Sequence, residues 1–297
     1  MNHKPVRKAV IAAAGFGTRF LPQTKAMPKE MLPLVDKPII QYVVEELVAA
    51  GIEDIVIVTG YHKRTIEDHF DHTSADLRMN LKNSGKLELL EETKKISDLA
   101  NFAYIRQKGP YGSATPVMNA ANWIGDEPFI YTYADDFVRS DPCRFKQLID
   151  VYNKYGGSVI TSVHRDGDED YGRYGYIDGD EIAPGLIDMK TIVEKPGSRE
   201  KAPSSMASVG GYVFQPVFME YLNKQLAAYD GTKELQIQDS MQKMIDDGHK
   251  FYGYEVKNGT WYDTGNPLEY LKTVFDFALE REDIGPELRE HLRNKLQ

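Results

Sequence analysis

Short apolar runs alternate with amphipathic segments along this 297-residue chain. Lys8–Ala14 is almost entirely apolar and ends at Gly15, and Ile55–Thr59 has the same character, which is typical of strands that are covered on both faces. Between them, Ile39–Ala50 carries apolar residues at the spacing of one helix face and ends at Gly51. The alternation predicts parallel β-α-β units and therefore an α/β fold.

The remaining segments continue this pattern in a more mixed form. We predict further strands at 102–106, 129–133, 158–163, 174–178, 190–194, 207–214 and 251–256. Helices are predicted at 117–124, 216–228, 236–247, 266–281 and 286–296, with one more starting near residue 141. The polar, acidic stretch 71–99 is predicted as a helical excursion outside the sheet. Because we find no linker-like tract or internal repeat, we expect a single domain over residues 1–297.

Composition narrows the possible classes of protein. No apolar run approaches the ~20 residues that span a bilayer, and the first residues do not resemble a signal peptide. The single cysteine, Cys143, cannot form an internal disulfide, so we expect a cytoplasmic protein without a membrane partner. A net charge of −9 argues against nucleic acid as a partner. The first 37 residues nevertheless carry seven Lys or Arg against two acids, which suggests a site for a small polyanion.

This basic segment contains a glycine loop, AAGFGTRFLPQTKAMPKEMLP, over residues 13–33. Gly15 and Gly17 follow a predicted strand, where backbone N–H groups can approach a phosphate closely. Arg19 and Lys25 add positive charge. The P-loop pattern is absent, and the dinucleotide pattern G-x-G-x-x-G fails at its third glycine. By itself, G-x-G after a strand also fits a plain tight turn.

Acidic residues follow two other strand-like segments. Asp135 and Asp136 come after FIYTY, and Asp263 lies in WYDTG. Ligand sites in α/β sheets lie at the carboxyl ends of strands, although adjacent acids also serve as helix caps. Carboxylates from two distant strands suit Mg²⁺, which also takes waters and phosphate oxygens. The seven histidines lack the spacing of zinc ligands, so magnesium fits better than zinc.

The run GxGTRxxPxTKxxPKE resembles the sugar-1-phosphate nucleotidyltransferase family in its bacterial uridylyltransferase form. The likeness covers nearly the whole chain and continues through MLPLVDKPIIQYVVEELVAAGIEDIVIVTG, IEDHFD, LANFAYIRQK, GDEPF, IVEKP and YDTGNPLEYLK. It implies a Rossmann-like α/β fold with a mixed, mostly parallel sheet flanked by helices. The implied parts are a nucleotide-binding half (1–140), a sugar-phosphate-binding half (141–265) and C-terminal helices (266–297), assembled as a homodimer or homotetramer.

The implied reaction transfers the uridylyl group of UTP to glucose 1-phosphate and releases pyrophosphate, with Mg²⁺ as cofactor. The attacking phosphate oxygen is already an anion, so positioning and charge neutralisation replace a general base. Four alternatives stay open: another hexose 1-phosphate such as N-acetylglucosamine 1-phosphate, dTTP as nucleotide, a non-catalytic regulatory paralogue, and a nucleotide-sugar glycosyltransferase. The retained Arg19 and Lys25 argue against the last two. Loss of these residues would indicate a non-catalytic paralogue, and a glycosyltransferase has no departing pyrophosphate to hold.

The resemblance also implies the site residues. Its catalytic residues are Arg19 on the departing phosphates, Lys25 at the α-phosphorus and Lys195 on the sugar phosphate. Nucleotide contacts are implied for Ala13, Ala14, Gly15, Gly17, Thr18, Glu30, Gln107 and Gly112, with Glu30 and Gln107 as readers of uracil. Sugar contacts are implied for Asp136, Gly175, Glu194, Lys195 and Gly210, and metal ligation for Asp135 and Asp263. Glu194 and Lys195 are consecutive, and we expect Pro196 to bend the chain so that both face one pocket.

Three places depart from the family pattern. Tyr111–Val117 lacks the second glycine and the histidine of the usual G-L-G-H-A-V, Gly211 stands where an arginine is common, and Gln238 replaces a threonine. All three lie on or near the implied sugar side, whereas the phosphate and metal residues are intact. Nucleotidyl transfer is therefore the expected reaction, and the identity of the sugar is its open part.

Overall fold

The computed structural model describes residues 3–296. The strands are β1 (Lys8–Ala13), β2 (Pro33–Leu34), β3 (Lys37–Pro38), β4 (Asp54–Thr59), β5 (Asn101–Arg106), β6 (Phe129–Tyr133), β7 (Asp136–Ser140), β8 (Ser158–His164), β9 (Gly175–Ala183), β10 (Leu186–Glu194), β11 (Met206–Phe214), β12 (Phe251–Glu255) and β13 (Gly259–Asp263). The α-helices are α1 (Ile39–Ala49), α2 (Arg64–Phe70), α3 (Ala75–Asn83), α4 (Leu87–Ser97), α5 (Ala114–Asn119), α6 (Ala121–Ile124), α7 (Arg144–Tyr155), α8 (Phe218–Ala227), α9 (Ile237–Asp246), α10 (Pro267–Glu280) and α11 (Gly285–Leu296). Within residues 3–296, no helix combines the length and the apolar character needed to cross a membrane.

One sheet of nine strands organises the molecule, in the order β5-β4-β1-β6-β11-β8-β12-β10-β9. The strands β5, β4, β1 and β6 are parallel to one another. Strand β11 runs antiparallel to both β6 and β8, and the hairpin β9–β10 adds further antiparallel pairs. The Rossmann-like α/β class is confirmed. Parallel pairing is continuous only from β5 to β6; beyond β6 neighbouring strands are antiparallel, except for β8 and β12, which are parallel.

Helices cover both faces of this sheet. Side chains alternate along β4, so Ile55 and Ile57 pack in one core cluster and Val56 and Val58 in the other. Alternation between two covered faces explains why this strand is apolar at every position from Ile55 to Val58.

Most predicted elements are present, and three differences fall between residues 114 and 144. The helix predicted at 117–124 begins at Ala114 and is interrupted at Ala120. The helix predicted near residue 141 begins at Arg144. The segment before it is strand β7, which was not predicted and which pairs with β13 far along the chain. The excursion predicted at 71–99 is present as helices α3 and α4.

Candidate functional site

A cavity of about 650 Å³ lies at the carboxyl ends of β1, β5 and β6 and continues along β11. Its wall includes most of the candidate residues: Ala14, Gly15, Arg19, Glu30, Gln107, Gly112, Asp135, Asp136, Gly175, Glu194, Lys195, Gly210 and Asp263. The wall does not include Ala13, Gly17, Thr18 or Lys25. The sheet therefore collects residues that are up to 250 positions apart in the sequence.

The glycine loop folds back tightly on itself at the nucleotide end of the cavity. Gly17 has a left-handed φ of +64°, and its carbonyl accepts a hydrogen bond of 2.7 Å from Thr24 Oγ1. A Cβ at this position would lie 3.1 Å from Thr24 and 3.3 Å from Lys29, so a larger residue would be strained by the positive φ and would crowd both neighbours. Arg19 is solvent-exposed and its Nη1 donates to the carbonyl of Gly265 at 3.2 Å. The side chain of Arg19 therefore connects the loop to the segment that follows β13.

Lys29 is the lysine of this loop that enters the cavity. Its Nζ lies 2.5 Å from Asp135 Oδ2, and it lines the wall. Burial lowers the pKa of Lys29, but the nearby carboxylates of Asp135 and Glu30 outweigh this effect, so its pKa is raised overall. Lys25 is exposed in the short turn Gln23–Lys25 and is not part of the wall. Its position does not support the role at the α-phosphorus that the resemblance implied.

Asp135 and Asp263, the predicted metal ligands, border one small space. A Cβ built on Gly265 would lie 2.9 Å from Asp263 Oδ1 and 3.4 Å from Asp135 Oδ2. Asp263 Oδ2 accepts hydrogen bonds from Arg173 Nη2 at 2.6 Å and Tyr174 Oη at 2.7 Å. In residues 3–296 no cluster of three or more His, Cys, Asp or Glu side chains forms a metal site. Two carboxylates fit Mg²⁺, which completes its shell with waters and substrate phosphate oxygens.

Asp136 supports the wall. Its Oδ1 lies 2.7 Å from Arg144 Nη1, and its Oδ2 accepts from Trp261 Nε1 at 2.9 Å and from the backbone N–H of Gly210 at 3.1 Å. Burial raises its pKa, while Arg144 and Trp261 act in the opposite direction. Because both oxygens are engaged by the protein, the geometry favours a positioning role over the sugar contact that was predicted.

Glu30 and Gln107, the predicted uracil readers, differ in their surroundings. Glu30 is 1% exposed, and its two carboxylate oxygens accept from Lys63 Nζ at 2.8 and 2.6 Å. Burial raises the pKa of Glu30 and lowers the pKa of Lys63. Gln107 follows β5, and its backbone N–H donates to Thr59 at 2.8 Å, which fixes it at the cavity. The geometry therefore favours Gln107 over Glu30 as a contact for a base.

Glu194 and Lys195 form the opposite end of the cavity. Both line the wall, as predicted, although they are consecutive. The reason is the left-handed φ of +45° at Lys195, which ends the alternation of side chains between the two faces of strand β10. A Cβ at Gly175 would lie 2.9 Å from Glu194 Oε2, so this glycine leaves room for the carboxylate.

Three buried polar atoms in this end of the cavity are unsatisfied. Within the described chain, Glu194 Oε2, Ser208 Oγ and Gln238 Oε1 have no hydrogen-bond partner, and all three residues line the wall. Burial also raises the pKa of Glu194. Buried polar atoms normally have partners, so this end of the cavity suits a ligand with many hydroxyl groups.

Sequence reasoning missed several residues of the wall. They include Lys29, Arg173, Tyr174, Ser208 and Trp261. For Trp261 a signal was present, because residues 261 and 263 lie on the same face of a strand. For Arg173 no signal was present, since its ion pair with Asp263 depends on packing between distant segments.

Comparison with known proteins gives consistent matches. The sequence model of the nucleotidyl transferase family matches residues 8–278. A UTP–glucose-1-phosphate uridylyltransferase of Bacillus subtilis is 47% identical over 295 residues, which are 98% of this chain and 99% of that protein. A UTP–glucose-1-phosphate uridylyltransferase of Staphylococcus epidermidis is 44% identical over 290 residues, 98% of each chain.

Solved structures agree with these matches. The crystal structure of a UDP-glucose pyrophosphorylase complexed with UDP-glucose is 36% identical, covers 93% of this chain and 100% of its own, and has a TM-score of 0.81. The structure of a UTP-bound UGPase from Acinetobacter baumannii is 33% identical, covers 97% of this chain and 98% of its own, and has a TM-score of 0.86.

Proposed function

The chain belongs to the nucleotidyl transferase family, and from this membership we propose that it transfers the uridylyl group of UTP to glucose 1-phosphate and releases pyrophosphate. Relatives of 44–47% identity over nearly the full length are named for this reaction. The observation that carries the proposal is a single cavity with two chemically different ends. The glycine loop and Lys29 form the end suited to phosphates, and unsatisfied polar atoms such as Glu194 Oε2 form the other.

In the proposed reaction, the residues of the cavity act by positioning the substrates and by neutralising the charge of their phosphates. Backbone N–H groups around Gly15 hold the triphosphate, and Arg19 holds the departing phosphates. Lys29 is the loop lysine that lines the cavity. We therefore assign to it the stabilisation of the negative charge that develops at the α-phosphorus. Lys195 holds the sugar phosphate in line for attack, and Gln107 contacts the base.

Enzymes of this family use a divalent metal ion, and Mg²⁺ is the ion that we propose here. Asp135 and Asp263 would hold it, since their oxygens border the space above Gly265. When bound, Mg²⁺ supplies positive charge to the phosphate oxygens of UTP.

We further propose a homodimer or homotetramer located in the cytoplasm. The exposed residues Leu268, Leu271 and Phe275 recur at i, i+3 and i+7 on α10, which places them on one helix face. An apolar stripe of this kind supports burial against a second copy. The single Cys143 fits a reducing compartment.

The proposal is tested by pyrophosphate release with Mg²⁺, using UTP or dTTP and a panel of sugar 1-phosphates. We expect the highest kcat/KM with UTP and glucose 1-phosphate, and Asp135→Asn serves as the inactive blank. Gln238→Thr restores the common family residue and shows whether this position selects the sugar. Turnover only with another sugar, such as N-acetylglucosamine 1-phosphate, would correct the substrate. Absence of turnover with every pair would overturn the proposal in favour of a regulatory paralogue.

A further inference from the structure

Two large aromatic side chains stand at the mouth of the cavity and touch each other. Phe16 is 68% exposed and Tyr111 is 63% exposed. Their ring centroids are 5.8 Å apart at an interplanar angle of 61°, an edge-to-face contact. Both residues line the cavity. Phe16 belongs to the glycine loop and Tyr111 precedes Gly112, so the pair bridges two walls of the nucleotide end.

The backbone beneath both rings is held by hydrogen bonds. The carbonyl of Tyr111 accepts from the backbone N–H of Leu235 at 2.9 Å, and the carbonyl of Leu235 accepts from Ala114 at 3.0 Å. Gly112 has a φ of +132°, and a Cβ there would lie 2.0 Å from the carbonyl oxygen of Leu235. The backbone at Tyr111 is therefore fixed against a buried residue.

Phe16 sits between Gly15 and Gly17, and the carbonyl of Gly17 accepts a hydrogen bond of 2.7 Å from Thr24 Oγ1. Its backbone is therefore held as well, while its exposed ring is open to a flat group that enters beside Tyr111.

The chemistry of the cavity indicates which group this is. A nucleoside triphosphate and a sugar phosphate present many charged and hydroxyl groups, and the nucleobase is their one flat surface with apolar faces. Aromatic side chains stack readily on such faces. Gln107, whose position makes it the favoured contact for the base, lines the same cavity.

We infer that Phe16 and Tyr111 form an aromatic lid that stacks on the nucleobase of the bound nucleotide. The inference rests on the proposed function. Stacking responds to the face of a base and hardly to its substituents, so the lid adds affinity for UTP and dTTP alike. Discrimination between bases is left to groups that contact the base edge, such as Gln107.

The lid is tested by the dissociation constant of UTP, measured by titration calorimetry, and by KM for both substrates. We expect Phe16→Ala and Tyr111→Ala each to raise the Kd and KM of UTP about five- to a hundredfold. The KM of glucose 1-phosphate and the ratio of UTP to dTTP affinity stay within twofold of the wild type. Phe16→Tyr and Tyr111→Phe keep a ring and restore the affinity. Tyr61→Ala removes an exposed aromatic side chain outside the cavity wall and leaves UTP binding unchanged.

Two results would overturn the lid. One is a wild-type Kd for UTP in both alanine variants while the wild-type enzyme turns over, which leaves the proposed function intact. The other is an equal rise in KM for both substrates, which indicates a general distortion of the mouth. Failure of the proposed function is distinguished by the wild-type enzyme itself, which would then neither bind UTP nor release pyrophosphate.

Discussion

At the scale of single residues, the two lysines of the glycine loop separate sharply by environment. Lys29 Nζ lies 2.5 Å from Asp135 Oδ2, whereas Lys25 is exposed. We expect Lys29→Met to lower kcat about 10²- to 10³-fold at saturating UTP, because a preorganised donor to developing charge is lost. Lys25→Met should lower kcat less than about tenfold, which is the smaller loss that a charge outside the cavity wall implies. Both values come from initial rates of pyrophosphate release.

Thermal unfolding of both variants controls for folding, since Lys29→Met leaves a carboxylate without its partner. A larger loss of kcat in Lys25→Met than in Lys29→Met would contradict the assignment of Lys29.

This pair also illustrates what the sequence could predict at this scale. Spacing and residue type predicted a phosphate site in the loop, and its Gly15 and Arg19 line the cavity. They could not determine which lysine enters the cavity, because a succession of short turns from Thr18 to Met31 has no regular period that would orient side chains.

At the scale of secondary-structure elements, the first residue of α7 connects three elements. The side chain of Arg144 is fully buried; its Nε and Nη2 donate to Glu46 of α1 at 3.0 and 2.9 Å, and its Nη1 donates to Asp136 of β7 and to the carbonyl of Gly210 in β11. We expect Arg144→Met to lower the free energy of unfolding by about 3–5 kcal/mol, because two buried carboxylates lose their cation. Urea unfolding measures this loss. Lys146→Met, at an exposed position of the same helix, should change the free energy by less than ~1 kcal/mol.

The loss in Arg144→Met should depend on pH in a defined direction. Burial already raises the pKa of Glu46 to about 7, with Arg144 opposing the rise. Without Arg144 the pKa rises further above its value in the unfolded chain, so the folded variant binds a proton more tightly than the unfolded one. The loss of free energy of unfolding in Arg144→Met is therefore smaller at pH 5 than at pH 8. The same loss at both pH values would exclude protonation of Glu46 as the cause of a pH dependence.

Element prediction succeeded where the signal was local and failed where it was not. The period of α1 and the apolar run of β4 reflect local burial, and both elements were predicted within one residue of each end. Strand β7 exists because it pairs with β13 in the register Asp136 to Asp263. A partner more than 100 residues away leaves no mark in a local window.

At the scale of the whole molecule, the sheet joins the two predicted halves. Strand β6 of the first half pairs directly with β11 of the second, so we propose that residues 1–297 form one domain.

The exposed apolar stripe on α10 (Leu268, Leu271 and Phe275) is the surface through which we propose that copies of this domain assemble. We expect Leu271→Glu to shift the molecular mass in solution from oligomer to monomer, since a charge replaces apolar contact area. Light scattering after size-exclusion chromatography measures the mass.

Lys272→Ala is the matched control, because Lys272 is exposed beside Leu271 and pairs with Glu269 of its own helix. A monomeric wild-type protein, or a Leu271→Glu variant that keeps the wild-type mass, would contradict the proposed interface.

The ion pairs across the cavity have a thermodynamic consequence. Lys29 pairs with Asp135, and Arg173 pairs with Asp263, so both predicted metal ligands are already neutralised by cations of the cavity wall. A nucleotide alone must compete with these two carboxylates for Lys29 and Arg173, whereas a nucleotide arriving with a divalent ion leaves both carboxylates with a counter-charge. Charge balance therefore makes the affinity for the nucleotide depend on the metal ion, and the affinity for the metal ion depend on the nucleotide. This coupling requires no conformational change. Equal Kd values for UTP with and without Mg²⁺ would show that the two affinities are independent.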